Sequence, residues 1–427
     1  MQVARFFHLV HFRFSARHLL LFTVVLSCTS FAPPRSAAET PPVGPLVVDE
    51  NSHLVVMEYE NWFGPKAVTF QGTAAMPFLQ SADMQAVGGG YDSADPNVIK
   101  THLQWFEYLG VDAALIEVTN NVSCIFNSEW FIEKYKIPCT PTFRLQNVTI
   151  RNNTGNTYPA WTALGTRLKL IPLLGGSTED VLLTDIDGKT SLEKEIEYFG
   201  ALMSQYPDRV VTYEGKPLML IFLGAAQDPS RADNPEWFQI RKFLATHPNL
   251  GGKYTFREMA GYLDSQPYLW APGVTNAGPE EIDPSYRFWS WVDRENTTCT
   301  LPPYCPYFPS YNVAGPRVEN FTASISTAGQ NGWGCPNENE KPYCLDDALR
   351  YGPDGGYDSF ATAMEYAAQL DPIFLIIHQF NEFVRPDEGF DANTDDDIEP
   401  ANLWGNDLGI VKQQIETYRE RLGKGQN

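Results

Sequence analysis

A (β/α)8 barrel, an α/β TIM barrel with long disulfide-bearing loops on its top face, is the fold the sequence predicts. Three observations carry it. Short β-rich apolar runs alternate with helix-like segments along the chain, eight such runs can be counted, and none is followed by a Gly-rich phosphate loop. The last point weakens the alternative, a doubly wound open sheet. Length and composition agree. A chain of 427 residues, 43% hydrophobic, 13% aromatic and only 19% charged, buries a large core and does not stay disordered.

The elements follow in order. Residues 1–38 carry Arg5, Arg13, Arg17 and Arg35, no acid, an apolar run over 19–32, and the small residues Ser36, Ala37 and Ala38. This is the pattern of a secretory signal peptide. An uncleaved type II anchor is the alternative, although the run falls short of the roughly 20 residues a membrane span needs. Residues 39–50 are a Pro-rich lead-in, and 51–427 form the barrel domain. Strands are expected at 53–59, 111–118, 167–174, 217–223, 254–260, 286–292, 319–325 and 372–380. The clearest helix begins with Asp95 as cap and Pro96 in its first position. Val98, Ile99, His102, Leu103, Phe106 and Leu109 line one face, and Gly110 ends it. Further helices are expected at 190–205, 234–246, 358–370 and 406–422.

Cysteines fit an oxidising compartment. Cys28 leaves with the signal, and Cys124, Cys139, Cys299, Cys305, Cys335 and Cys344 remain. Six cysteines allow about 15 connectivities, and spacing favours 124–139, 299–305 and 335–344. Glycosylation sequons begin at Asn121, Asn147, Asn152, Asn296 and Asn320. A secreted, extracellular glycoprotein is expected, with no stable membrane insertion. The formal charge of −21 excludes nucleic acid as the main partner, because phosphate binding needs a basic surface. A neutral polysaccharide or glycan suits the acidic, aromatic-rich composition better.

In a barrel of this type catalytic groups sit at the C-terminal ends of strands. Those ends read Glu58-Tyr59-Glu60-Asn61-Trp62, then Glu117, then Trp289-Ser290-Trp291-Val292-Asp293, then His378-Gln379-Phe380-Asn381-Glu382. Carboxylates for proton transfer and flat rings for stacking on sugar faces are what glycoside cleavage requires. Glu117 shares a face with Ala113 and Leu115. Glu382 closes an apolar strand, where a carboxylate is costly unless it is partnered. Core packing is the alternative for Trp289 and Trp291, and a satisfied core histidine is the expectation for His378. The acidic stretch 389–400 alternates as a calcium loop does, but Asp396 stands where an EF-hand needs glycine, so a hydrated acidic loop is expected there. No metal site and no cofactor are expected.

Asn381-Glu382-Phe383, Glu388-Gly389 and Ile398-Glu399-Pro400 together resemble the closing signature of glycoside hydrolase family 99, the endo-α-mannosidase-like enzymes, which are related loosely to the family 71-type α-1,3-glucanase barrels. Gly90-Tyr91-Asp92-Ser93-Ala94-Asp95-Pro96 with Gly110-Val111-Asp112, and Tyr206 through Gly215-Lys216-Pro217, are similar to two further passages of that family. The resemblance implies a retaining, metal-independent (β/α)8 glycosidase in which Glu382 is base or nucleophile. The position three residues later, where the family carries its acid, is Arg385 here, and Glu388 is the nearest substitute. Catalysis is therefore expected from Glu382 and Glu388, with Glu117 in support. Substrate contacts are expected from Glu60, Trp62, Tyr91, Trp289, Trp291, Asp293, Asn381 and Glu399. The alternative is a non-catalytic carbohydrate-binding protein on a decayed glycosidase barrel.

Overall fold

The structure is a computed structural model. It describes residues 44–71, 76–119, 121–176, 179–222, 235–260, 289–290, 310–311, 317–324, 359–378, 380–381, 398–400 and 408–424. The strands in these residues are β1 (Leu46–Val48), β2 (Leu54–Tyr59), β3 (Ala113–Val118), β4 (Lys169–Gly175), β5 (Val211–Tyr213), β6 (Lys216–Phe222), β7 (Thr255–Ala260), β8 (Trp289–Ser290), β9 (Ser310–Tyr311), β10 (Val318–Ser324) and β11 (Phe374–His378). The helices are α1 (Pro96–Leu109), α2 (Val122–Phe126), α3 (Glu129–Tyr135), α4 (Pro141–Leu164), α5 (Ser191–Gln205), α6 (Pro235–Thr246), α7 (Ser359–Leu370) and α8 (Leu408–Lys424).

The fold is mixed α/β around a mostly parallel sheet. Its main path runs β8-β7-β6-β4-β3-β2-β11-β10, every neighbouring pair being parallel. The first long strand, β2, thus pairs with both its successor β3 and the last strand β11. All eight strands expected from sequence are present in the described residues, with ends within a few residues of those expected.

Side chains alternate between two apolar layers, as the period-2 geometry of a strand requires. Val55, Met57 and Tyr59 of β2 pack outward with Ile99, Leu103 and Phe106 of α1. Leu54 and Val56 point the other way, into a second layer built from strand residues that also holds Leu115, Leu173, Leu220, Trp289 and Phe374. Six strand-to-strand steps separate β8 from β11, ~29 Å in a flat sheet. Yet the Trp289 and Phe374 rings lie 4.8 Å apart, centroid to centroid. The sheet therefore curls on itself. The Trp289 indole N–H also reaches across to Glu319 of β10, at 3.0 Å.

Three features go beyond the elements expected from sequence. The lead-in 39–50 contains β1, which pairs in parallel with β5. The span between β3 and β4 is helical: α2, α3 and α4 occupy it. The long helix α4 starts with Thr140 accepting from the Phe143 N–H and Pro141 in its first turn, and it tolerates Pro159 within. Three of the sequons lie within regular secondary structure. Asn147 and Asn152 are on α4 and Asn320 is on β10, and Asn147 and Asn320 are buried, which leaves no room for a glycan at either. Asn121 and Asn152 are exposed.

The Cys124–Cys139 disulfide is formed, with the Cα atoms 5.6 Å apart. Residues 1–43 and the cysteines at 299, 305, 335 and 344 lie outside the described residues, as does Asn296. No described helix is long and apolar enough to cross a membrane.

Candidate active site

The C-terminal ends of β2, β3 and β11 converge on a cluster of acids. Glu58 stands on the inner face of β2, two residues beyond Val56 and opposite Leu115 of β3. Glu117 occupies the same face of β3, opposite Leu173. Glu60 follows β2 directly. One carboxylate oxygen of each lies within 4.8 Å of those of the other two, and all three side chains are buried, at most 1% exposed. His378, the last residue of β11, brings Nε2 to 3.0 Å from Glu58 Oε2. His378 is buried and partnered, as expected of a satisfied core histidine, and its partner is one of the cluster acids.

Buried like charges this close cannot all ionise cheaply. Burial, and then the Glu58 charge, push the Glu117 carboxyl up to about 8, against the opposing hydrogen bonds from Thr119 and Trp62. Burial likewise raises Glu58 well above the ordinary carboxylate range. The Thr119 hydroxyl donates to Glu117 Oε2 at 2.8 Å. Trp62, half-buried, donates its indole N–H to the same carboxylate. At neutral pH the rim therefore holds at least one proton on a carboxyl group that is positioned by two donors. That is the state a general acid needs.

Helix α4 supports the site from behind. Thr154 Oγ1 donates to the Glu117 carbonyl at 3.1 Å, and Asn153 Nδ2 reaches the Asn61 and Phe63 carbonyls, each at 3.4 Å. Trp161 stacks 6.4 Å from Tyr59. Beside Glu60, Asn61 is fully buried, and neither of its side-chain amide atoms has a hydrogen-bond partner.

Of the residues expected to bind substrate, Glu60 and Trp62 sit at the cluster. Three are taken up internally. Tyr91, Asn381 and Glu399 are buried and bonded to one another, Tyr91 Oη to Glu399 Oε2 at 2.7 Å and Asn381 Nδ2 to Tyr91 Oη at 3.0 Å. Glu399 is therefore not part of a hydrated loop. Trp289 is a core residue rather than a sugar platform: it is fully buried against Phe374, and its N–H is taken by Glu319. Glu382, Glu388, Arg385, Trp291 and Asp293 lie outside the described residues.

Sequence reasoning left Glu58, Asn61 and His378 out of the site. The period-2 alternation Leu54, Val56, Glu58 was the available signal for the first. Glu58, Glu60 and Glu117 are also the one group among the described residues with the spacing of metal ligands. Their hard oxygen donors would suit a divalent cation such as magnesium, calcium or manganese.

No family model matches the chain, and no curated protein matches it. The chain is similar to a solved family 99 (GH99) endo-α-mannosidase from Bacteroides thetaiotaomicron in complex with bis-tris-propane. The two share 14% identity over 88% of this chain and 99% of that one, with a TM-score of 0.47. It is similar to a glycoside hydrolase-like protein at 13% identity, covering 90% of this chain and 98% of that one, TM-score 0.38. It is also similar to Saccharomyces cerevisiae Gas2p in complex with laminaritetraose and laminaripentaose, at 10% identity, 86% of this chain and 64% of that one, TM-score 0.34. The family resembled in sequence thus recurs among the solved structures to which this chain is similar.

Proposed function

We propose that the protein is a secreted glycoside hydrolase on a closed (β/α)8 barrel, cleaving a neutral polysaccharide or glycan by carboxylate acid/base chemistry. The observation that carries the proposal is the buried cluster of Glu58, Glu60 and Glu117 at strand C-termini, with Glu117 held protonated to about pH 8. Glu117 acts as general acid and gives its proton to the leaving glycosidic oxygen. Glu382, covalently next to the buried Asn381, keeps the role of base or nucleophile that the family resemblance implies, and Glu388 stands in reserve. Retention of configuration is taken from the family resemblance, and it calls for a gap of roughly 5 Å between the Glu117 and Glu382 carboxyls. Trp62 offers a ring beside the acid for a sugar face, and the buried Asn61 amide would find its partner in a sugar hydroxyl. Barrel closure is supported by the curled sheet and by the Trp289–Glu319 contact between β8 and β10. The formed Cys124–Cys139 bridge supports an extracellular site of action, as does the signal-like N-terminus.

The test is digestion of a glycan panel, α-mannans and α-glucans included, by purified wild-type protein beside Glu382→Gln and Glu117→Gln. Release of oligosaccharide by wild type, reduced ~100-fold or more in each variant, is the expected result. Sugar binding without release would favour the non-catalytic alternative. A metal-dependent site is a second reading, motivated by the ligand-like spacing of the three glutamates. The two donors already on Glu117, from Thr119 and Trp62, and the 3.0 Å contact of Glu58 with His378 favour the proton. Dialysis against EDTA is expected to leave the rate unchanged.

A further inference from the structure

We infer that Tyr91, His102 and Glu399 form a buried positioning relay that fixes the main chain of Glu60 through Asn381. The inference takes the carboxylate site as proposed above. All of these groups are at most 3% exposed, and they come from four separate stretches of chain: the end of β2, the 88–95 loop with α1, the residues after β11, and the 398–400 segment.

The hydrogen bonds have a direction. Asn381 meets the Glu60 backbone twice, its Oδ1 accepting from the Glu60 N–H at 2.9 Å and its Nδ2 donating to the Glu60 carbonyl at 2.8 Å. That pair assigns the amide orientation without ambiguity. The same Nδ2 donates to Tyr91 Oη at 3.0 Å, so the Tyr91 O–H is free to donate to Glu399 Oε2, at 2.7 Å. On the other side His102 Nε2 lies 3.3 Å from Glu399 Oε1, and His102 Nδ1 lies 2.9 Å from Tyr59 Oη. With its proton on Nε2 the imidazole satisfies both contacts: it donates to Glu399 and accepts from Tyr59. The Tyr91 hydroxyl and His102 Nε2 protons then both point at one buried carboxylate. Burial and the Glu399 charge keep Tyr91 a phenol, which agrees. Glu399 is itself held by the Phe380 carbonyl, which accepts from the Ile398 and Glu399 N–H groups, both at 3.1 Å.

The polarity of this chain agrees with the orientation fixed by the two Glu60 bonds, and it holds the Asn381 amide from the side away from Glu60. Tyr91, His102 and Glu399 touch none of the cluster carboxylates directly in this chain of bonds. They act through Asn381, and so are positioning residues. Their consequence falls on Glu60 of the acid cluster, whose own N–H and carbonyl are clamped.

The experiment compares Tyr91→Phe, His102→Leu and His102→Gln with wild type by amide hydrogen exchange. Glutamine can present a donor at the place of Nε2, whereas leucine fills the volume with none. Exchange at the Glu60 and Asn61 amides should rise about tenfold or more in Tyr91→Phe and His102→Leu, stay near wild type in His102→Gln, and stay unchanged at 113–118 in all three. On a glycan that wild type cleaves, kcat should fall about tenfold in the first two variants, with KM little moved. Unchanged exchange at 60–61 overturns the relay. So does a rise of equal size throughout the sheet, or a leucine variant indistinguishable from the glutamine one. If wild type cleaves nothing, the catalytic proposal fails, while the exchange result still decides the relay.

Discussion

At Glu117 burial and the neighbouring Glu58 charge both favour the neutral carboxyl, which keeps its proton up to about pH 8. In the unfolded chain the same group releases its proton near the ordinary value of 4.5. Between those two points the folded state holds a proton that the unfolded state has lost, so stability falls as pH rises. The slope is on the order of 1 kcal/mol per pH unit. The protein is expected to melt at a higher temperature at pH 5 than at pH 8, and Glu117→Gln should flatten that dependence in a thermal melt series. A slope that survives the substitution would move the proton to another group. A second residue-scale prediction concerns Gly90, which precedes Tyr91 with φ +83°. A Cβ there would overlap the Phe70 ring, which is itself stacked on Phe63 at 4.1 Å. Gly90→Ala should cost roughly 2 kcal/mol or more in a urea titration.

Among the elements, α4 separates what was legible in the sequence from what was not. Helix α1 announces itself through Asp95, Pro96, the apolar stripe and Gly110, all within sixteen residues. Helix α4 has a low-contrast pattern: asparagines and threonines line its buried face, and Pro159 argues against it. Its stabilising partners are remote. Thr154 bonds a carbonyl 37 positions away and Asn153 one 92 positions away, and local periodicity carries no trace of such contacts. The same distinction holds within the site. Glu117 was visible because strand alternation put it on the inner face with Leu115. The partner that satisfies His378 was not legible, because Glu58 belongs to the other end of the chain. Tyr91, Asn381 and Glu399 were singled out by their motifs as sugar contacts, whereas in the structure they are buried and bonded to one another. The Cys124–Cys139 bridge closes a 15-residue separation just ahead of α4. Replacing both cysteines with serine should lower stability by about 3 kcal/mol, measured by chemical denaturation under non-reducing conditions.

Across the whole molecule, the curled sheet carries two unlike polar sites on its inner side. The Arg257 guanidinium bonds Glu319 Oε1 at 2.8 Å, and Glu319 Oε2 takes the Trp289 N–H, so this acid is fully compensated. The Glu58, Glu60 and Glu117 cluster concentrates acids around a single histidine and relies on protonation instead. Stability is thus held where β8 meets β10, while the strain of buried acids is stored where chemistry is proposed. Glu319→Ala should destabilise by roughly 3–5 kcal/mol, because it leaves the exposed Glu214 as the one acid paired with Arg257 among the described residues. The most direct test of the catalytic account is leaving-group dependence in Glu117→Gln. A general acid matters for a poor leaving group and hardly at all for one that departs unprotonated, such as dinitrophenolate. The account predicts that the variant loses ~100-fold or more on the natural glycan, retains most of its rate on the dinitrophenyl glycoside, and lacks the alkaline limb near pH 8 that it predicts for wild type. Equal losses on both substrates, or no loss on either, would contradict it.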